Sequence, residues 1–174
     1  MNDKSKIVFP STHVVFDGLE KPEKLINEER KKKPILTYSI SKSQNEEDIK
    51  KSRKNFVILR LGSVYGFSGD ATRIQIVPNL FSKITSQNGT INLFSGGKQI
   101  KSLVPLLDVV RCMKLMGDNE KINKETFNLV KDSITVKEVA EICKKYNPKT
   151  LIKITDDETP NLGYSLSNKK LLST

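Results

Sequence analysis

The sequence predicts an α/β fold that begins with a parallel β-sheet. An apolar segment at residues 6–9 is followed by a long polar segment at 38–54 and by a second apolar segment that starts at Phe56. Strand, helix and strand in this order form a unit whose two strands are parallel and whose crossover is right-handed. After Gly66 the elements become shorter, which indicates a second and smaller α/β region.

The elements of the first unit follow from local composition. The segment KIVFPSTHVVF is short, rich in β-branched residues and interrupted by a proline, which predicts a strand at 6–9 and a turn at Ser11 and Thr12. Residues 21–33 are dense in charge and poor in apolar side chains, as in a solvated loop or a marginal helix. The segment TYSISKSQNEEDIKKSR contains neither glycine nor proline and predicts a helix over about 38–54.

The second region carries clear helix boundaries. Asp108 precedes apolar residues at helical spacing and occupies the place of an N-cap. Thr135 and Glu138 form a T-x-x-E capping box, and the helix that it opens ends near Asn147. A further helix is predicted at 74–87, and strands are predicted at 91–94, 126–130 and 151–155.

Composition places the chain among ordinary globular proteins. It has 174 residues, of which 36% are hydrophobic and 29% charged. No apolar run approaches the roughly 18 to 20 residues that cross a bilayer, and the N-terminus lacks the apolar core of a signal peptide. We therefore expect a cytoplasmic protein without a membrane partner. Cys112 and Cys143 form no CxxC pair, so neither a disulfide framework nor a metal site is predicted.

The net charge of +10 raises the alternative of a nucleic-acid-binding module. The lysines are scattered, however, and the longest basic run covers only residues 30–33. Aromatic residues make up 6% of the chain, and no stacking motif accompanies the basic residues. Nucleic acid is therefore an unfavoured partner, and binding to it would depend steeply on salt.

Tyr38 and Lys42 are the first candidate catalytic pair. They are four residues apart on a predicted helix, so their side chains lie on one face about one turn apart. A free tyrosine has a pKa near 10 and becomes a useful base at neutral pH only when positive charge stabilises its phenolate. A neighbouring lysine, together with an oxidised nicotinamide, would supply that charge while a hydride moves to the cofactor.

The spacing of this pair carries weight only with its neighbours. Lysine is so abundant that four tyrosines have nearly an even chance of one such match by accident. The segment PSTHVVFDG precedes the pair, and VILRLGSVYG follows it. In this order the three segments resemble the NAD-dependent epimerase/dehydratase family of the extended short-chain dehydrogenase/reductase superfamily. STHVVFDG is most similar to the dTDP-4-dehydrorhamnose reductase type, whereas the later SLVPLLDVV is more similar to epimerases.

The resemblance implies roles for particular residues. Thr12 takes the place of the family's catalytic serine or threonine, and it would also contact the substrate. Tyr38 takes the place of the general acid/base, and Lys42 that of the lysine on the nicotinamide ribose, so both would contact the cofactor. Ser63 stands where epimerases often have a substrate-contacting asparagine, and Lys101 stands where many relatives place an arginine on the substrate diphosphate.

Other positions match structural residues of the family or depart from its pattern. Glu46 matches a structural glutamate, and we interpret Arg60 as a partner that stabilises the fold. His13 is the only histidine, and without clustered acidic or cysteine partners we interpret it as a loop residue. Asp157 and Glu158 lie where an arginine is common in relatives, so the sequence departs from the family pattern at this point.

The resemblance also implies an organisation into two parts. Residues 1–66 would be the C-terminal part of a Rossmann-type parallel sheet with the catalytic segment, and residues 67–174 a small α/β domain for the sugar nucleotide. The chain has no G-x-x-G-x-x-G or G-x-G-x-x-G turn, so it lacks the usual site for the cofactor pyrophosphate. NAD or NADP binding would therefore be compromised, and the missing N-terminal half or a homodimer partner is expected.

These observations lead to one preferred function and two alternatives. We expect NAD(P)-dependent chemistry of the epimerase/dehydratase type on a nucleoside-diphosphate sugar, carried out as part of a complete or reconstituted enzyme. One alternative is a non-catalytic sugar-nucleotide-binding or interaction subunit, or a truncated fragment. The other is a ketoreductase similar to dTDP-4-dehydrorhamnose reductase.

Overall fold

The computed structural model describes residues 5–67, 69, 73–156 and 163–174. Asp157 and Glu158 lie outside the described residues. The elements run in the order β1 (Lys6–Thr12), α1 (Thr37–Lys51), β2 (Asn55–Leu61), β3 (Ser63–Tyr65), α2 (Val77–Ser86), β4 (Thr90–Phe94), β5 (Ile100–Pro105), α3 (Leu106–Asp118), β6 (Glu125–Leu129), β7 (Asp132–Thr135), α4 (Val136–Tyr146), β8 (Leu151–Thr155) and α5 (Lys169–Leu172).

The strands form three small sheets, which confirms the predicted α/β class. The first sheet has the order β1-β2-β6, and both of its pairings are parallel. In the second sheet β5 pairs with β3 in parallel and with β7 in antiparallel orientation. The third sheet is the parallel pair of β4 and β8. The first β-α-β unit therefore places the C-terminal ends of β1 and β2 at the same edge of a sheet.

Burial follows the position of each element. The central strand β2 is buried on both faces at Val57, Ile58 and Leu59, as expected for a parallel strand covered on two sides. One core cluster joins Val57 and Leu59 to Phe127 and to residues of α3, and a second lies beneath α2 and α4. A third cluster, which includes Phe16, packs the segment after β1 against residues 164–166.

Two local predictions were wrong. Strand β1 continues through Thr12, which pairs with Leu61, so no turn occupies Ser11 and Thr12. The side chain of Thr12 instead caps a short 3-10 helix that starts at the next residue. Helix α3 begins before Asp108, and Pro105 is its N-cap residue. Asp108 lies in the first turn, where a negative charge is still favourable.

Other helix predictions agree with the structure to within a few residues. The capping box of Thr135 and Glu138 is confirmed, with both reciprocal bonds formed. Residues 21–33 contain no helix. The short strands β3, β5 and β7 were not predicted. Of the two cysteines, Cys143 is buried and Cys112 is half-buried, and burial raises the pKa of both thiols.

Strand β6 links the two predicted regions, because it lies after Gly66 and yet completes the first sheet. The proposed division at residues 1–66 and 67–174 stays a prediction. Strand β1 forms one edge of that sheet, and among the described residues it pairs with β2 alone. No helix within the described ranges is long and apolar enough to span a membrane. The cytoplasmic location stays a prediction.

Candidate active site

A cleft of about 570 Å³ lies beside the C-terminal ends of β1 and β2 and the strand β3. Four of the five residues that the sequence singled out line this cleft, namely Thr12, Tyr38, Ser63 and Lys101. They come from four separate segments, which the parallel pairing of β1 with β2 and of β3 with β5 brings to one place. The structure thus assembles the predicted residues, while their roles stay predictions.

Thr12 enters the cleft as the last residue of β1. Its backbone is extended, and its Oγ1 accepts a hydrogen bond of 3.3 Å from the amide of Val14. Within the described part of the chain, that is the only hydrogen bond that its hydroxyl makes. Because the oxygen acts as the acceptor there, the hydroxyl proton is available for a group bound in the cleft.

Tyr38 lies at the start of α1, where Asp17 fixes the entry of the helix. The carboxylate of Asp17 accepts hydrogen bonds from the amide of Ile35 at 2.8 Å and from the hydroxyl of Ser39 at 2.8 Å. Ser39 is fully buried by these contacts, while the side of Tyr38 toward the cleft stays open, with 56% of the residue exposed. The Tyr38 hydroxyl is therefore accessible to a substrate.

Lys42 does not line the cleft, and its ammonium is bound to strand β1 instead. Its Nζ donates a hydrogen bond of 2.9 Å to the carbonyl of Pro10. The same nitrogen is 4.7 Å from the centre of the Phe9 ring and 5.9 Å from that of the Tyr38 ring. A cation at such distances is attracted by the aromatic faces. Lys42 therefore holds a positive charge between β1 and the candidate acid/base.

A buried ion pair holds α1 against the sheet. Glu46 lies two turns after Tyr38, and its carboxylate accepts hydrogen bonds from Arg60 Nη2 at 2.9 Å and from Ser11 Oγ at 2.6 Å. Lys32 adds a contact of 3.2 Å. Burial alone would raise the pKa of Glu46, but Arg60, Ser11 and Lys32 together outweigh burial, so this pKa is lowered. The pair ties the helix of Tyr38 to β1 and β2.

A second polar network includes His13, which the sequence interpretation had set aside. Its Nδ1 lies 3.1 Å from the hydroxyl of Tyr164, and its Nε2 lies 3.3 Å from Ser63 Oγ. The Tyr164 hydroxyl also donates a bond of 2.8 Å to the carbonyl of His13. Burial, followed by the charge of Lys101, lowers the pKa of His13 to about 4. The imidazole is therefore neutral at physiological pH.

Lys101 contributes a cation to the same cleft. Its side chain is half-buried in β5, and burial lowers its pKa. Among the residues that the structure describes, no carboxylate forms an ion pair with it. Arg73, which the sequence interpretation did not consider, lines the cleft as well. Its carbonyl accepts a hydrogen bond of 3.0 Å from Asn79. Two cations at the cleft are suited to an anionic ligand.

A larger cavity, of about 840 Å³, lies between α2 and α4. Its wall is mostly apolar, with Pro78, Ile134 and Ile142 among its residues. None of the five candidate site residues, Thr12, Tyr38, Lys42, Ser63 and Lys101, lines this cavity. The smaller cleft brings together a threonine, a tyrosine, a histidine and two cations, so it is the better candidate for a reaction.

The low pKa of His13 predicts acid sensitivity of the fold. A histidine that titrates near 4 when folded and near 6.5 when unfolded stabilises the fold fully above pH 6.5, and this contribution is lost as pH falls toward 4. We expect the free energy of unfolding to fall by about 2 kcal/mol between pH 7 and pH 5. Urea denaturation of the protein and of His13→Gln at both pH values measures this loss.

The two proteins should respond differently to pH, because the variant lacks the titrating ring. Most carboxylates titrate below pH 5, so they change little in this interval. The charges that act on His13 come from Lys101, which lowers its pKa, and from Asp17, which raises it. An equal loss of stability in His13→Gln would contradict the assignment.

The chain matches one protein family model and shares its fold with solved structures. The family model of the RmlD substrate binding domain matches residues 2–93. None of the curated proteins that were compared matches the chain. UDP-glucose 4-epimerase from Thermotoga maritima, whose structure contains UDP-glucose, has a TM-score of 0.83 and 21% identity. The alignment covers 97% of this chain and 56% of that epimerase.

Two further solved structures have the same fold. UDP-glucose 4-epimerase from Thermus thermophilus, in complex with NAD, has a TM-score of 0.78 and 21% identity, over 97% of this chain and 57% of that one. dTDP-glucose 4,6-dehydratase from Bacillus anthracis, in complex with NAD, has a TM-score of 0.79 and 19% identity. The alignment covers 97% of this chain and 54% of that dehydratase. Identities this low show the shared fold alone, and the chain spans just over half the length of each structure.

Proposed function

Because the chain belongs to the RmlD substrate binding domain family, we propose that it carries the acid/base and substrate-binding residues of an NAD(P)-dependent enzyme that acts on sugar nucleotides. The observation that carries this proposal is the cleft in which Thr12, Tyr38, Ser63 and Lys101 meet. The positively charged Nζ of Lys42 lies 5.9 Å from the centre of the Tyr38 ring. These are the groups that proton removal from a sugar hydroxyl needs.

In the proposed reaction Tyr38 takes a proton from a substrate hydroxyl. The ammonium of Lys42, 5.9 Å from the centre of the Tyr38 ring, supplies the nearby positive charge that this acid/base role calls for. Thr12 donates its free hydroxyl proton to the same substrate oxygen and thereby orients it. The buried pair of Glu46 and Arg60 keeps the helix of Tyr38 at a constant position relative to the sheet.

The described residues fit the nicotinamide end of NAD. An ammonium has three donor hydrogens, and Lys42 uses one of them on Pro10, so two remain for ribose hydroxyls. When bound, NAD supplies a hydride acceptor. The chain contains no glycine-rich turn for the pyrophosphate, so we propose that a nucleotide-binding half provides it, either within a longer protein or as a partner chain. A homodimer partner is the alternative.

Epimerase or dehydratase chemistry is our first choice for the reaction. It is supported by the shared fold with an epimerase solved with UDP-glucose and with a dehydratase solved with NAD. The family match over residues 2–93 favours a ketoreductase as the second candidate. The two differ in cofactor balance, because a reductase consumes one NAD(P)H per turnover whereas an epimerase returns its cofactor unchanged.

The affinity of Lys101 variants for a sugar nucleotide tests the proposed function. Truncation to Lys101→Ala removes a half-buried cation, and we expect the Kd for UDP-glucose to rise about tenfold or more, as for the loss of a charge-assisted hydrogen bond. Lys101→Arg should retain binding, because a guanidinium keeps the charge and adds a planar pair of donors. Titration calorimetry on the full chain measures all three affinities.

The matched control is Lys153→Ala, which removes an exposed lysine of β8 outside the cleft. Its affinity for UDP-glucose should equal that of the unmodified protein. Loss of affinity in both alanine variants would indicate a general effect of charge. Unchanged affinity in Lys101→Ala would remove the diphosphate site from the proposal.

A further inference from the structure

The network of His13, Ser63 and Tyr164 joins three distant parts of the chain at the wall of the cleft. His13 follows β1, Ser63 begins β3, and Tyr164 comes from the final segment. Tyr164 is 7% exposed, and its ring packs edge-on against Phe16. The buried Tyr164 therefore holds one end of the network in place, while Ser63 and His13 line the cleft.

The protons in this network can be assigned from the donor directions. Tyr164 has one hydroxyl proton, and it is donated to the carbonyl of His13 at 2.8 Å. The Tyr164 oxygen, 3.1 Å from Nδ1, must then act as an acceptor, so Nδ1 carries the proton of the imidazole. The ring is neutral because its pKa is lowered to about 4 by burial and by Lys101. Nε2 therefore has no proton.

Ser63 completes the chain of bonds. An Nε2 without a proton can only accept, so the hydroxyl of Ser63, 3.3 Å away, donates its single proton to the ring. The lone pairs of Ser63 Oγ are then the groups left for a ligand in the cleft. A serine in this state recognises a hydrogen-bond donor and cannot donate to a ligand itself.

We infer that His13 is a positioning residue that holds Ser63 as a hydrogen-bond acceptor, so that the cleft selects a sugar hydroxyl at this point over a group that only accepts, such as a ketone or a fluorine. The selectivity rests on the proposed function, whereas the proton arrangement does not. With the opposite tautomer, Ser63 would donate, and the cleft would favour an accepting group instead.

The arrangement can be observed directly because His13 is the only histidine. In the full chain labelled with nitrogen-15 in histidine, NMR at pH 7 should show one neutral ring with the proton on Nδ1. Tyr164→Phe removes the acceptor of that proton and should increase the fraction of the Nε2-protonated tautomer. The matched control, Tyr146→Phe, alters a tyrosine that is 86% exposed and should leave the spectrum unchanged.

A ring protonated on Nε2 in the unmodified protein would overturn the inference without the need for any variant. Equal spectra for the unmodified protein and for folded Tyr164→Phe would overturn the part assigned to Tyr164. Both results are independent of catalysis and of ligand binding. They therefore test the proton arrangement even if the proposed enzymatic function fails.

The selectivity is tested with UDP-glucose and its deoxyfluoro analogues, in which fluorine replaces one hydroxyl and cannot donate. At one ring position we expect the fluorine to weaken binding about tenfold. In Ser63→Ala this difference should disappear at that position alone. If UDP-glucose binds but no position discriminates, the inferred selectivity is wrong. If UDP-glucose does not bind at all, the proposed function and the selectivity both fail, and the NMR result still decides the tautomer.

Discussion

Replacement of Glu46 by glutamine is expected to lower the free energy of unfolding by about 3–5 kcal/mol, the usual cost of removing one partner of a buried ion pair. Glu46 is 0% exposed and Arg60 is 2% exposed, so the guanidinium would be left without its counter-charge in a site that water does not reach. Since native domains are stable by only about 5–15 kcal/mol, much of the protein would unfold under mild conditions. Urea denaturation followed by circular dichroism measures the change.

The neighbouring residue provides the control. Glu47→Gln removes a carboxylate of which 44% of the side chain is exposed and which pairs with Lys32 at 2.7 Å. Exposed pairs of this kind contribute about 1 kcal/mol or less. A double variant, Glu46→Leu with Arg60→Met, removes both charges together and should recover part of the stability lost in Glu46→Gln. Equal losses for Glu46→Gln and Glu47→Gln would show that burial of the pair is unimportant.

Tyr38→Phe is expected to lower kcat by about 10² to 10⁴-fold in an enzyme reconstituted with a nucleotide-binding half, which is the range for loss of a general acid or base. The substitution removes one hydroxyl and keeps the ring over which Lys42 lies. Affinity for UDP-glucose should therefore change little. The measurement is turnover of UDP-glucose with NAD, with binding determined separately by calorimetry.

A tyrosine outside the cleft controls for this change. Tyr146→Phe, at the exposed end of α4, should leave turnover as it is in the unmodified enzyme. If Tyr38→Phe also turned over at the full rate, Tyr38 would not be the acid/base. The alternative of a non-catalytic sugar-nucleotide-binding subunit would then be favoured, provided that UDP-glucose still binds.

Local patterns in the sequence predicted the parts of the fold that depend on neighbouring residues. Tyr38 and Lys42 lie on one helix face because four residues make about one turn, and the capping box at Thr135 depends on a residue only three positions away. The family resemblance read from PSTHVVFDG, TYSISK and VILRLGSVYG is confirmed by the match over residues 2–93. These signals need no knowledge of tertiary contacts.

Contacts between distant residues account for what could not be predicted. His13 was interpreted as a loop residue because nothing near it in sequence could form a site, yet Tyr164 lies 151 residues away. The extension of β1 through Thr12 depends on pairing with Leu61, which outweighs the local turn signal. The strands β3, β5 and β7 are short, and their pairing with one another stabilises them more than their own composition does.

The position of residues 163–168 bears on how the protein is made. In this segment the Tyr164 hydroxyl donates a hydrogen bond to the carbonyl of His13, and Leu166 forms a parallel β-bridge with Ile26. The carbonyl of Ser167 accepts a hydrogen bond from the side chain of Asn128. A ribosome adds about 5–20 residues per second and releases the N-terminal part first. The helix of Tyr38 can therefore form seconds before the wall of the cleft is finished. A nascent chain stopped before residue 163 would carry Tyr38, the proposed acid/base, without the Tyr164 hydroxyl that contacts His13.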